Sequence, residues 1–199
     1  MVLGALSFSS ASEATLIASP RVLVIPIVEN HDPLINIKNQ SVLLYGPSPE
    51  VPNNMDYTKI RKTVYEKLVQ AQASLPEGLR FCLYEGYRSL SLQKMLFENR
   101  FKRVQALHPG WTHDQIFDEA MKLVSPVVNK NGSPNVPPHS TGGAFDIYLL
   151  NDKNEFVDMG IHPKDWMEDD DGSISQTNSQ KISPKARHYR QIMCEVLQE

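Results

Sequence analysis

Residues 138–150 read PHSTGGAFDIYLL, a histidine-bearing loop that continues into an apolar run. Apolar residues recur at every second position from Phe145 to Leu149, and this alternation predicts a β-strand over 144–150 with one apolar face. Asp146 then lies on the opposite face of the strand. An unpaired carboxylate is costly to bury, so we expect Asp146 to meet a cation or several hydrogen-bond donors.

His139 lies seven residues before Asp146, and two glycines between them allow the side chains to meet. Gly142 and Gly143 can adopt positive φ, which lets the loop fold back beside the strand that it feeds. Imidazole and carboxylate are standard zinc ligands, and a catalytic zinc site uses three protein ligands and a water molecule. The alternative is a histidine that closes a turn beside an aspartate in a structural ion pair. The spacing alone favours the second interpretation, because a histidine and an aspartate seven residues apart are common.

The rest of the chain combines short strands with amphipathic helices. Extended segments are expected at 21–28, 35–45 and 79–84. Helices are expected at 56–74 and from Pro184 to 197. Two further helices are expected between these, one from the N-cap Ser89 to about 108 and one from the capping box Thr112–Gln115 to about 124. The acidic and then Ser/Asn/Gln-rich residues 168–180 predict a mobile surface loop. Because strands and helices do not alternate regularly, we expect an α+β domain with a small, mainly antiparallel sheet flanked by helices.

Size, charge and cysteine content narrow the class of protein. The 199 residues suit one domain, which we place at 15–199. The formal net charge of −3 gives no electrostatic reason to expect a nucleic-acid partner. No apolar run approaches the ~20 residues of a membrane helix. Cys82 and Cys194 are too few and too far apart for a disulfide framework, and we expect two separate free thiols.

Residues 1–14 have two interpretations. A short apolar stretch is followed by small polar residues, and Ser12 and Ala14 flank Glu13 as small residues do at a signal-peptide cleavage site. A basic n-region is missing, so a disordered N-terminal tail is the alternative. The first interpretation implies an exported, periplasmic protein, and the second a cytoplasmic one.

Three segments, in chain order, carry a family resemblance: Glu85-Gly86-Tyr87-Arg88, His139-x-x-Gly142-x-Ala144-x-Asp146, and Asp158-Met159-Gly160. They are similar to the D/E-x-Y-R segment, the zinc motif and the D-M-G segment of the D-Ala-D-Ala peptidases, which include the VanX-type dipeptidases. The D-M-G segment and the helical stretch before the zinc motif favour the VanX-type branch over the carboxypeptidases and endopeptidases. The resemblance runs from about Val22 onward and implies a D-Ala-D-Ala peptidase/Hedgehog-like fold.

The resemblance also implies a reaction and the residues that perform it. His139 and Asp146 would bind Zn²⁺, and Arg88 would stabilise the negative charge that forms when water attacks the peptide carbonyl. One such donor contributes about 3 kcal/mol in other enzymes. The implied substrate is D-Ala-D-Ala or a similar cell-wall dipeptide, with Asp165 as a candidate for the residue that receives its ammonium group. The alternative for Arg88 is a surface salt bridge at a helix start, but its place next to a strand end favours a functional role.

The chain departs from the family pattern in two places. Family members carry a Glu-x-x-His segment that supplies the general base and the third zinc ligand, and the 199 residues contain no Glu-x-x-His. We therefore expect a domain that is incomplete at its C-terminus and has little activity by itself. His162 and His188 are spare histidines outside any matching motif.

The second departure concerns specificity. Pro137 replaces a serine that is linked to the substrate carboxylate in VanX-type enzymes, so the preferred dipeptide stays open. The alternative function is that of a catalytically inactive relative, which binds a peptide or a peptidoglycan fragment in the same cleft.

Overall fold

The computed structural model describes residues 19–49, 51–162, 165, 168–169 and 172–198. Its helices are α1 (Pro20–Leu23), α2 (Lys62–Ala73), α3 (Leu90–Leu107), α4 (His113–Met121), α5 (Pro138–Thr141) and α6 (Pro184–Gln198). Its strands are β1 (Leu34–Asn36), β2 (Leu44–Tyr45), β3 (Lys59–Arg61), β4 (Arg80–Glu85) and β5 (Asp146–Leu150). The tail over 1–14 lies outside the described residues. None of the helices given above is long and apolar enough to cross a bilayer.

Two small sheets organise the domain. In the three-stranded sheet, β4 is central, with β2 parallel to it on one side and β5 antiparallel to it on the other. β1 and β3 form a separate antiparallel pair, in which Ile35 lies opposite Ile60. The α+β class with small sheets and flanking helices is therefore confirmed. The strand expected over 144–150 is β5, and its Leu149 is fully buried.

Two apolar clusters hold these elements together. The first joins the sheets to α2 and α6 and contains Ile37, Leu43, Ile60, Leu68, Phe81, Leu83, Leu149, Val157 and Val196. The second, centred on α3 and α4, contains Val51, Leu96, Phe97, Val104, Ile116, Phe117, Ala120, Met121 and Val124. Each large apolar side chain in such a cluster stabilises the fold by about 1.5–3 kcal/mol relative to exposure. Cys82 and Cys194 are free thiols, as predicted.

The helix starts follow the predicted capping residues. Ser89 Oγ accepts a hydrogen bond from the backbone N–H of Leu92 at 3.2 Å, and α3 begins at the next residue. Thr112 and Gln115 form the expected capping box of α4. These caps satisfy N–H groups that the first turn of a helix leaves without partners.

The extended segment expected over 21–28 is wrong in part. One helical turn, α1, occupies its first residues, and the segment that follows is irregular, with Val24 77% and Val28 80% exposed. A strand needs a neighbour for its backbone N–H and C=O groups, and no strand of the described chain pairs with this segment.

The helix expected over 56–74 starts later, at Lys62, because Lys59–Arg61 forms strand β3 instead. Pairing of β3 with β1 brings together residues that are distant in sequence. Such tertiary pairing overrides local periodicity, which is a weak determinant over a few residues.

Residues 172–180 are held against the domain, although their composition predicted a mobile loop. Asp169 is 3% exposed, and its carboxylate accepts hydrogen bonds from the backbone N–H groups of Ile174 and Ser175 at 3.2 and 2.7 Å. Arg190 of α6 donates to the Ile174 carbonyl at 2.8 Å. Composition indicates polarity but not these tertiary hydrogen bonds.

Candidate active site

The junction between β4 and α3 contains a buried ion pair. Glu85, the last residue of β4, is fully buried, and its carboxylate accepts hydrogen bonds from the Asn54 side-chain amide and the Val51 backbone N–H. Arg88 Nε donates to Glu85 Oε1 at 3.1 Å, and the Arg88 side chain is 7% exposed. A buried carboxylate is tolerated only with such partners. Glu85 therefore fixes the position of the Arg88 guanidinium.

Gly86 lies where no side chain fits. A Cβ at this position would lie 2.8 Å from the Tyr57 carbonyl oxygen and closer still to the Lys59 carbonyl oxygen. The Gly86 carbonyl oxygen accepts a hydrogen bond from His139 Nδ1 at 2.8 Å. The close fit of Gly86 against the two neighbouring carbonyls therefore positions the acceptor that orients His139.

Replacing Gly86 by alanine is expected to lower the free energy of unfolding by about 1–3 kcal/mol, because the added Cβ forces a backbone shift in a packed region. Urea denaturation measures this change. Gly110→Ala is the matched control, because a Cβ at Gly110 meets nothing within 4 Å. The control should change stability by less than about 0.5 kcal/mol. Equal stabilities of the two variants would contradict the steric argument.

His139 lies in the single turn of α5. Gly142 ends this turn with a φ of 75°, so the predicted positive φ is confirmed at Gly142, and Gly143 does not share it. Arg61 of β3 binds the turn twice: its backbone N–H donates to the Gly142 carbonyl at 3.0 Å, and its Nε donates to the Thr141 carbonyl at 2.8 Å. The turn is thus tethered to β3 as well as to the β4–α3 junction.

The three residues predicted for zinc binding and catalysis meet at one point. Because His139 Nδ1 donates its proton to a carbonyl, a neutral imidazole carries a lone pair on Nε2. This Nε2 lies 3.3 Å from Oδ2 of Asp146, the first residue of β5. Arg88 Nη2 lies 3.3 Å from the same oxygen. The His139 side chain is 14% exposed and that of Asp146 is 32% exposed.

His139 Nε2 and Asp146 Oδ2 both carry lone pairs, so at this distance they repel each other unless a metal ion or a proton lies between them. In a tetrahedral zinc site with ligand bonds of about 2.0–2.1 Å, adjacent ligand atoms lie about 3.3–3.4 Å apart. The 3.3 Å separation of His139 Nε2 and Asp146 Oδ2 fits one edge of such a site. A proton on Nε2 gives the structural ion pair instead. Within the described ranges, no group of three or more His, Cys, Asp and Glu side chains is placed to hold a metal, so the two residues fit part of a site.

Arg88, His139 and Asp146 border a cavity of about 450 Å³, which is within the usual size of small-ligand sites. His162 and Pro137 lie on the same cavity wall, whereas His188 does not. Asp165, the candidate substrate-binding residue, is exposed and is not among the described residues that line the cavity. Its backbone N–H donates to the His162 carbonyl at 2.9 Å.

Sequence reasoning missed Arg190, which is 9% exposed and borders the same cavity. Arg190 lies four residues after Ala186 and three before Met193, so it belongs to the apolar stripe of α6. A charged residue within an apolar stripe is the signal that could have identified it. The contact between Asn54 and Glu85 has no comparable local signal, because the two residues are 31 positions apart.

Comparison with known proteins gives one distant relative. The chain is 29% identical over 154 residues to a protein of Synechocystis sp. named D-alanyl-D-alanine dipeptidase. The match covers 69% of this chain and 61% of that protein, so the chain spans less than two thirds of the relative's length. No family model and no solved structure matches the chain. The similarity supports a distant relationship to a D-alanyl-D-alanine dipeptidase, in agreement with the three sequence segments.

Proposed function

We propose that the chain is a zinc dipeptidase that hydrolyses D-Ala-D-Ala or a similar cell-wall dipeptide, with the D-Ala-D-Ala peptidase/Hedgehog-like fold of the VanX-type enzymes. The observation that carries the proposal is the position of His139 Nε2, which faces Asp146 Oδ2 at 3.3 Å with Arg88 beside them on a cavity wall. The name of the distant relative supports the substrate class.

His139 and Asp146 would hold Zn²⁺ in this proposal. The Gly86 carbonyl keeps the proton on His139 Nδ1, which leaves Nε2 available as a ligand atom. A bound Zn²⁺ would supply a Lewis acid that polarises the scissile carbonyl and lowers the pKa of a water molecule toward about 7. His162 borders the cavity and is the first candidate in this chain for a further ligand.

Arg88 would stabilise the negative charge that develops on the carbonyl oxygen of the substrate. Its guanidinium is held on one side by Glu85 Oε1 and reaches Asp146 Oδ2 with Nη2. A donor that is already oriented stabilises developing charge without reorganisation, which is why such groups contribute about 3 kcal/mol each. Asp165 stays a proposed contact for the ammonium group of the dipeptide.

The function is tested by incubating the purified 199-residue chain with D-Ala-D-Ala and excess zinc and measuring free D-alanine. We expect slow release, because the sequence contains no Glu-x-x-His to supply a general base, and the loss of a base costs ~10²–10⁴-fold. Zinc removal should abolish the residual release. Turnover near the ordinary ~10 per second would mean that another residue, first His162, completes the site. Release that survives zinc removal would contradict the proposal.

A second candidate is a binding protein that holds a peptide or a peptidoglycan fragment without cleaving it. The specific observation in its favour is that the described residues gather only two ligands at the candidate zinc site. The DNA beyond the codon for Glu199 distinguishes the candidates. A reading frame that continues into Glu-x-x-His supports the enzyme, whereas an immediate stop codon supports the binding protein.

A further inference from the structure

Arg190 of α6 is fixed by main-chain groups of two separate segments. Its Nε donates to the Met159 carbonyl at 2.7 Å. Its Nη1 donates to the carbonyls of Ile174 and Gln176 at 2.8 and 2.6 Å. Because these acceptors are neutral, they hold the guanidinium in place without compensating its charge.

The remaining nitrogen of Arg190, Nη2, has no hydrogen bond to any described residue. Asp158 and Asp169 lie close enough to favour the charged form of Arg190, but neither forms an ion pair with it. Each carboxylate is used elsewhere: Asp158 accepts from the Gly160 N–H at 2.8 Å, and Asp169 accepts from the backbone of the 172–180 loop. Burial lowers the pKa of Arg190, which reflects the cost of keeping this charge away from water.

Arg190 borders the cavity that Arg88, His139 and Asp146 also line. Arg88 already contacts two carboxylates there, those of Glu85 and Asp146. Arg190 therefore differs from Arg88 in that no carboxylate among the described residues forms an ion pair with its guanidinium. A planar guanidinium with fixed orientation is the side chain that best recognises a carboxylate.

We propose that Arg190 binds the C-terminal carboxylate of the peptide in this cavity, so that the site selects short peptides with a free carboxyl end. The inference rests on the proposed function for the statement that the ligand is a peptide. The position of the Arg190 guanidinium in the cavity wall does not depend on that function. Arg190 is then a specificity-determining residue, and a substrate whose carboxyl end is blocked should be rejected.

A purely structural role for Arg190 makes a different prediction. If its only task is to join α6 to the Met159 and Ile174 segments, replacing it changes stability and leaves ligand preference intact. The test therefore compares two ligands that differ only at the carboxyl end, D-Ala-D-Ala and D-alanyl-D-alaninamide. Calorimetric binding to zinc-free protein keeps both ligands intact during the measurement.

The unmutated protein should bind the acid about 10- to 100-fold more tightly than the amide, as expected for a hydrogen bond to a charged group. Arg190→Gln should bind the two ligands with nearly equal affinity. Arg187→Gln is the matched control, because Arg187 is on the same helix and does not border the cavity. This control should keep the preference for the acid.

Equal binding of acid and amide by the unmutated protein would overturn the inference, and so would a folded Arg190→Gln variant that keeps the preference. If Arg190→Gln does not fold, crystals of the unmutated protein with D-Ala-D-Ala decide the question. A carboxylate within hydrogen-bond distance of Nη2 supports the inference, and any other position overturns it. Binding of D-Ala-D-Ala by the zinc-free protein, with no release of D-alanine once zinc is added, would contradict the proposed enzyme while leaving the role of Arg190 intact. Failure to bind either ligand would overturn the role of Arg190, whereas release of D-alanine after zinc is added would still support the enzyme.

Discussion

Replacing His139 by alanine, or Asp146 by asparagine, is expected to lower the affinity of the chain for zinc by at least ~100-fold. Loss of a residue that only supports a ligand already costs ~10- to 100-fold, and each of these substitutions removes a ligand itself. Asparagine preserves the size of Asp146, and its neutral amide is a poor replacement for a carboxylate. Zinc competition against a chromophoric chelator measures the affinity of each variant.

His188→Ala is the control for these two variants, because His188 is an exposed residue of α6 and does not border the cavity. Its zinc affinity should equal that of the unmutated chain. Unchanged zinc affinity in both His139→Ala and Asp146→Asn would show that the pair at 3.3 Å is the structural ion pair and that the metal site lies elsewhere.

Replacing Arg88 by alanine is expected to lower the free energy of unfolding by about 3–5 kcal/mol, because removal of one partner leaves a buried charge uncompensated. Glu85 is fully buried, and Arg88 Nε is its charged partner at 3.1 Å. Urea denaturation measures the loss. Lys94→Ala is the control, since Lys94 and Glu98 form an exposed pair at 3.9 Å. Breaking an exposed pair costs at most about 1 kcal/mol, and a similar small loss for Arg88→Ala would contradict the buried-pair interpretation.

The effect of Arg88 on catalysis needs a milder substitution, because Arg88→Ala also disturbs Glu85. Lysine keeps a positive charge near Glu85, but its single ammonium nitrogen cannot replace the separate nitrogens with which a guanidinium contacts Glu85 and the substrate together. In an active form of the protein, Arg88→Lys should lower kcat by ~10²- to 10³-fold with a smaller change in KM. A variant that only raises KM would make Arg88 a substrate-binding residue rather than a group that acts on the transition state.

Local signals predicted the parts of the fold that local chemistry determines. Ser89 and Thr112 cap their helices, and the alternating run that contains Leu149 is a strand, because each pattern acts within a few residues. Strand β3 was mistaken for helix, since its identity depends on pairing with β1. Pairing across a long stretch of chain leaves no trace in the periodicity of a three-residue segment.

The candidate site divides in the same way. Arg88, His139 and Asp146 were predicted from motif resemblance, and the structure brings them together across 58 residues of chain. The hydrogen bonds around these residues were not predicted. Asn54 donates to the Glu85 carboxylate and Arg190 donates to the Met159 carbonyl, and both contacts join residues that are 31 positions apart in the sequence. Short motifs identify the residues that perform chemistry. The residues that position them are distant in sequence and become neighbours only in the folded chain, so no short motif identifies them.

The acceptor that orients His139 is a main-chain carbonyl, that of Gly86, and this affects how the chain tolerates mutation. Every amino acid at position 86 retains a carbonyl, so no single substitution deletes the acceptor as it would delete a carboxylate. Mutation there acts only through the volume of the new side chain against Tyr57 and Lys59. The tautomer of the histidine is therefore protected by backbone geometry. Because the atoms that crowd position 86 are themselves main-chain carbonyl oxygens, a smaller residue at position 57 or 59 does not make room for an alanine there.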